Sequence, residues 1–90
     1  MVNRPTAVNI TGVVVYANPL RLEAVRAALE AIEGVEVHAV VPTGRLVVTV
    51  ERPDDHAATE TLQAVARAEG VLSTALVYHH DEALDEEPNR

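Results

Sequence analysis

The chain contains an internal repeat, and this repeat constrains the fold more than any other feature of the sequence. The repeated pairs lie 36 positions apart: Ala28 and Ala64, Glu33 and Glu69, Gly34 and Gly70, Val35 and Val71, Ala39 and Ala75, Val41 and Val77. In each half, the repeat leads from a helical pattern through a glycine into a pattern rich in valine. Each half therefore predicts one strand–helix–strand unit.

Apolar periodicity places the elements of the two units. Strands are predicted at 7–17, 35–42, 45–51 and 71–79, where β-branched residues dominate. Helices are predicted to begin at Asn18-Pro19 and at Pro53-Asp54-Asp55, and to end at Gly34 and Gly70. Two such units in succession predict a ferredoxin-like α+β domain of order βαββαβ, with a four-stranded antiparallel sheet and two helices on one face. We expect residues 1–80 to form this single domain and the acidic stretch 81–90 to be a disordered tail.

Composition excludes several functions. The chain has no cysteine, which rules out disulfides, thiol nucleophiles and CxxC metal sites. Its net charge of −7 and its two aromatic residues argue against nucleic-acid binding, which needs a basic surface and stacking rings. The sequence contains no stretch of 18 apolar residues, the length that a membrane-spanning helix needs. The stretch 6–17 is interrupted by Asn9 and Thr11, which makes it too polar for the apolar segment of a signal peptide. We expect a cytoplasmic location.

No residue pattern predicts catalysis or a cofactor. Motifs for nucleotide binding, zinc proteolysis and serine hydrolysis are missing, and the one serine, Ser73, has no evident histidine partner. Residues 79–82 (HHDE) include four potential metal ligands. However, His79 and His80 are neighbours in a predicted strand and would point to opposite faces. We therefore expect no enzyme activity, no catalytic residue, no metal site and no cofactor.

The predicted architecture leaves one sheet face uncovered. Alternation places Val35, Val37, Ala39, Val41, Leu46, Val48, Val50, Val71, Ser73, Ala75 and Val77 under the helices. The first strand is apolar on both faces, so either Val13 and Val15 or Val14 and Tyr16 could face outward; the polar hydroxyl of Tyr16 favours the second arrangement. The predicted binding residues on the uncovered face are Val14, Tyr16, Val40, Val47, Thr49, Leu72, Leu76 and Tyr78. On this assignment, Leu76→Glu abolishes binding without unfolding the domain.

An uncovered apolar sheet face is typical of a partner site, since a solvated face would be polar. An acidic domain with such a face suits a ligand that is both apolar and cationic, such as an amphipathic peptide with arginines. Glu36, Glu51 and the acidic tail are candidate contacts for these arginines. A homodimer formed by stacking two such faces is the alternative.

Four segments resemble the NapD family, the cytoplasmic assembly chaperones of the periplasmic nitrate reductase. They are residues 12–17 (GVVVYA), 34–37 (GVEV), 42–51 (PTGRLVVTVE) and 69–79 (EGVLSTALVYH), the last followed by an acidic tail. The resemblance extends from Ile10 to Glu87.

The resemblance implies a ferredoxin-like chaperone without enzyme activity. Its members bind the twin-arginine signal peptide of the catalytic subunit precursor and restrain export until the molybdenum cofactor and iron–sulfur cluster are inserted. The bound peptide is expected to be helical and to lie on the sheet. The rival interpretation is a stand-alone amino-acid-binding domain similar to that of the Lrp/AsnC regulators, which form dimers or octamers and bind amino acids between subunits; a constitutive octamer stabilised by amino acids would favour it.

Overall fold

The four strands form one antiparallel sheet in the order β2-β3-β1-β4. The structure is a computed structural model and describes residues 9–81. Its elements are β1 (Asn9–Ala17), a short 3-10 helix (Pro19–Arg21), α1 (Leu22–Glu30), β2 (Val35–Val41), β3 (Arg45–Arg52), α2 (Asp55–Arg67) and β4 (Val71–Asp81). This is the predicted ferredoxin-like arrangement, which is confirmed. Asp81, the first residue of the predicted tail, is the last residue of β4; residues 82–90 lie outside the described residues, and the predicted domain boundary stays a prediction.

Side-chain caps start both helical segments where the sequence predicts them. Asn18 Oδ1 accepts a hydrogen bond of 3.0 Å from the Leu20 backbone N–H, and Asp54 Oδ1 accepts one of 2.8 Å from the Ala57 N–H. The first turn after Asn18 is a 3-10 helix, so α1 is shorter than expected. Gly34 and Gly70 follow the helices with φ of +88° and +95°, a conformation that residues with a Cβ rarely adopt.

The Asp54 cap leads to a prediction about stability. Asp54→Ala removes the acceptor of the Ala57 N–H and should lower the free energy of unfolding by about 1 kcal/mol. Urea denaturation followed by circular dichroism measures this difference. Asp54→Asn is the matched control because its amide oxygen still caps the helix, so the two variants should differ; equal stability would contradict the assigned role.

The core lies between the helices and one face of the sheet. Its buried residues are Val13, Val15 and Ala17 of β1, Leu46, Val48 and Val50 of β3, Val25 and Leu29 of α1, and Val65 of α2. The odd-numbered residues of β1 therefore face the helices. Tyr16 is exposed and Val14 half-buried on the opposite face, and the arrangement that the sequence favoured for β1 is confirmed.

A bulge in β2 reverses the predicted orientation of its second half. The pairing with β3 shifts between Val37 and Ala39, so that Ala39 lies opposite Val47 and Val40 lies opposite buried Leu46. Val40 consequently packs against the core. The prediction that Val40 faces outward is wrong, as is the prediction that Ala39 and Val41 face the helices.

Two bulges in β4 reverse the predicted orientation of the residues between them. Its pairing with β1 shifts next to Leu72 and again next to Val77, each of which is an extra residue opposite β1. Leu76 therefore lies opposite buried Val13, on the helix side, whereas Ala75 lies opposite Val14. The prediction that Leu76 is on the uncovered face is wrong, and so is the inward placement of Ser73 and Ala75.

Candidate functional site: the uncovered face of the sheet

The face of the sheet opposite the helices has three complete rows of side chains that run across the strands in the order β2, β3, β1, β4. The first row is Glu36, Thr49, Gly12 and Tyr78; the middle row is Ala39, Val47, Val14 and Ala75; the third row is Val41, Arg45, Tyr16 and Ser73. We call these twelve residues, together with Ile10 and Glu51 of the adjoining row and His38 of the β2 bulge, the uncovered face.

The middle row is entirely apolar. Val47 and Val14 are directly opposite each other at its centre, and an alanine stands at each end. Val47 is 39% exposed, whereas the solvated face of an antiparallel sheet usually carries polar side chains. Tyr16 and Tyr78, in the rows on either side, are exposed and longer than these side chains. The middle row thus forms a shallow apolar floor between two tyrosines.

Gly12 allows the Tyr78 ring to lie on the backbone of β1. A Cβ on Gly12 would overlap three atoms of this ring, so any larger residue would displace it. Gly12 and Tyr78 are cross-strand neighbours. The Tyr78 ring covers the backbone of Gly12, which has no side chain of its own to shield it. Tyr78 is still half exposed, which leaves part of its ring and its hydroxyl available for a ligand.

Polar side chains cluster on the β2 and β3 side. His38 Nε2 and Thr49 Oγ1 are hydrogen-bonded at 2.7 Å. Glu36 lies opposite Thr49, and Glu51 follows two residues later on the same side of β3. Both carboxylates are exposed, and neither forms an ion pair with another side chain that the structure describes. They are available to a cationic ligand.

The structure brings most of the predicted site residues together. Val14, Tyr16, Val47, Thr49 and Tyr78 share the uncovered face, and Leu72 is an exposed extra residue of the edge strand β4.

The sequence analysis missed the two alanines of the floor, Ala39 and Ala75. A comparison of side-chain size between neighbouring residues could have identified these alanines, because the larger residue of each pair is expected to face the core. In both strands the larger neighbour, Val40 or Leu76, faces the helices.

Leu76 lies in a separate cleft between α2 and β4, on the opposite side of the sheet. The cleft has a volume of about 260 Å³ and is lined by Val13, Thr59, Leu62, Gln63, Val65, Ala66, Thr74 and Leu76. Leu76 is therefore exposed but does not contribute to the uncovered face.

His79, the histidine of β4 whose side chain is described, contacts residues of β1 and α2. His79 Nδ1 is hydrogen-bonded to Thr11 Oγ1 at 3.0 Å, and its Nε2 lies 4.0 Å from Asp55 Oδ1. Among the side chains that the structure describes, no three metal-ligating groups lie together to hold an ion. The side chains of His80, Asp81 and Glu82 lie outside the described atoms. His79 thus connects β4 to the start of α2.

Comparison with known proteins identifies relatives over most of the chain. A family model described as "NapD protein" matches residues 8–83. Chaperone NapD of Escherichia coli K12 is 37% identical over 79 residues, covering 87% of this chain and 91% of the relative. Chaperone NapD of Haemophilus influenzae Rd is 34% identical over 79 residues, covering 82% and 81%.

A solved structure has the same fold. It is described as the solution structure of the E. coli Tat proofreading chaperone protein NapD. The two chains superpose with a TM-score of 0.78 and 36% sequence identity, covering 94% of this chain and 90% of the solved one. In the described part of the present chain, no helix is long and apolar enough to cross a membrane.

Proposed function

The chain belongs to the NapD family of chaperones, and we propose that it binds the twin-arginine signal peptide of the periplasmic nitrate reductase catalytic subunit precursor. Relatives are named chaperones, and the family is not enzymatic. The solved relative is described as a Tat proofreading chaperone, that is, one acting on twin-arginine export. In the present protein, binding in the cytoplasm holds the precursor back from export until its cofactors are inserted.

The apolar floor of the uncovered face is the observation that supports this proposal most. Val47, Val14, Ala39 and Ala75 form a continuous apolar row on the side of the sheet opposite both α1 and α2. A helical signal peptide can pack its apolar segment on this row, as amphipathic helices do in hydrophobic grooves. Burial of apolar surface then supplies most of the binding free energy, at about 25 cal/mol for each Å² buried.

The negative charge of the protein should attract the cationic start of the peptide and raise the rate of association. The protein has a net charge of −7, whereas the arginines make the start of the signal peptide cationic. The field of the protein accelerates association with such a peptide. Each exposed ion pair contributes only about 0–1 kcal/mol, so a peptide with Lys-Lys in place of Arg-Arg should bind only modestly more weakly.

Titration calorimetry with a synthetic twin-arginine signal peptide tests the proposed function. We expect saturable 1:1 binding with a negative heat-capacity change, which is the signature of apolar burial. A control peptide keeps the arginines but carries serines in place of the leucines of its apolar segment, and it should not bind measurably. Absence of both heat and NMR shift changes at high peptide concentration would contradict the proposal.

The same face could instead pair with a second copy of the chain. Sedimentation at several concentrations distinguishes this homodimer from peptide binding, because peptide should compete with self-association for one surface. We expect the peptide complex to contain one copy of each chain.

A further inference from the structure

The uncovered face is divided into a charged half and an uncharged half, and the division runs parallel to the strands. Glu36 and His38 of β2 and Arg45 and Glu51 of β3 supply its ionisable polar groups. The β1 residues of this face are uncharged, and so are the β4 residues from Ser73 to Tyr78. The charged groups of the uncovered face therefore lie on β2 and β3, among the side chains that the structure describes.

The charged half contains a pair of carboxylates suited to a pair of arginines. Glu36 is the cross-strand neighbour of Thr49, and Glu51 lies two residues beyond Thr49 on the same face. Such diagonal neighbours are about 7–8 Å apart, within reach of two long side chains from one peptide. Arg45, the cation of this half, stands two rows from Glu36, at the opposite end of β3.

The uncharged half offers the larger exposed apolar side chains. Tyr16 and Tyr78 flank Val14 here, and Leu72 and Val77 at the β4 edge are 71% and 60% exposed. A peptide that leaves the floor at this edge continues onto apolar surface. At the β2 edge, the same peptide meets Glu36 and His38.

From this division we infer that the bound signal peptide crosses the strands, with its arginines above β2 and β3 and its apolar segment running toward β1 and β4. The inference rests on the proposed function and adds the direction of binding. Three strand spacings of about 4.8 Å separate β2 from β4, a width of about 14 Å. At 1.5 Å per residue, this width accommodates about nine or ten helical residues.

Two other directions of the peptide on the sheet would match its arginines and its apolar segment less well to the charges of the protein. A peptide lying along β3 with its arginines at Glu51 would bring its apolar segment over Arg45. A peptide in the reverse direction would place its arginines above the described part of β4, which has no carboxylate through His79. Only the acidic stretch 81–90 could then pair with them.

Spin-labelled peptides distinguish these directions. One peptide has a nitroxide just before its arginine pair, and the other has it at the end of the apolar segment. In spectra of the 15N-labelled protein, the first label should broaden the amides of Glu36 and Ala39 more than those of Ser73 and Ala75, and the second label should do the reverse. Diamagnetic versions of both peptides are the controls. The opposite pattern, or broadening by both labels along a single strand, would overturn the inferred direction while leaving the proposed function intact; absence of binding would overturn both.

Charge removal provides an independent measurement. The double variant Glu36→Gln/Glu51→Gln should bind the twin-arginine peptide about three- to tenfold more weakly, as expected for two exposed ion pairs. Glu23→Gln/Glu60→Gln removes the same charge from the two helices and should change affinity less than twofold. The loss should disappear with a peptide that has glutamines in place of both arginines. Equal losses in the two double variants would contradict a specific contact and overturn the inferred direction.

Discussion

Val47→Glu should weaken binding of the signal peptide about 100-fold, whereas Leu76→Glu should change it less than twofold. Val47 lies at the centre of the apolar floor, and a peptide packed there would bury an unpaired carboxylate. Burying an unpaired polar or charged group costs about 3 kcal/mol or more, and each 1.4 kcal/mol is a tenfold loss of affinity. Leu76 lies on the other side of the sheet, in the cleft beneath α2.

The two variants are a matched pair because both add one negative charge at a partly exposed apolar residue of the sheet. Their overall attraction for a cationic peptide is the same, so a difference in affinity reports the position of the peptide. Calorimetry gives both dissociation constants, and thermal unfolding checks that both variants are folded. The sequence alone predicted that Leu76→Glu would abolish binding; loss of binding in this variant with normal binding by Val47→Glu would reverse our assignment of the site.

Leu29→Ala should destabilise the domain by about 2–5 kcal/mol. The Leu29 side chain is fully buried between α1 and the sheet, and its removal leaves a cavity in a close-packed core. A domain of this size is stable by only about 5–15 kcal/mol, so the variant loses a large part of its stability.

Leu20→Ala is the matched control for this change. It removes the same atoms from a side chain that is 91% exposed, and its effect should stay within about 0.5 kcal/mol. Urea denaturation with a fitted midpoint and slope measures both changes. Similar losses in the two variants would contradict the position of the core.

The order of the elements was predictable because local signals and the repeat agree. Asn18 and Asp54 cap the helical segments, and Gly34 and Gly70 end them with positive φ. The alternation of Leu46, Val48 and Val50 placed β3 correctly, since no bulge interrupts its pairing with β1.

The site was less predictable because β-bulges change which face a residue occupies. Alternation assumes an unbroken strand, and one extra residue reverses the orientation of every residue that follows. Val40 and Leu76 are equivalent positions of the repeat, and the same error affects both. Their size was the available signal, since each neighbours an alanine and the larger side chain faces the core.

The site also depends on contacts that pattern analysis does not include. The Tyr78 ring occupies the space above Gly12, and the His38 ring bonds Thr49 across two strands. Both contacts connect residues on different strands that are far apart in the sequence, and hydrophobic periodicity does not predict such contacts. They determine which parts of the tyrosine and histidine side chains remain available to a ligand.

The most direct test of peptide binding at the uncovered face is methyl-group NMR, because methyl signals separate the two sides of the sheet. In a protein with labelled Ala, Val and Leu methyl groups, addition of the signal peptide should shift Ala39, Val14, Val47 and Ala75, which share the apolar floor. The methyl groups of Leu62 and Leu76, in the cleft on the helix side, should stay unchanged. Shifts confined to Leu62 and Leu76, with the four floor residues unchanged, would contradict binding at the uncovered face.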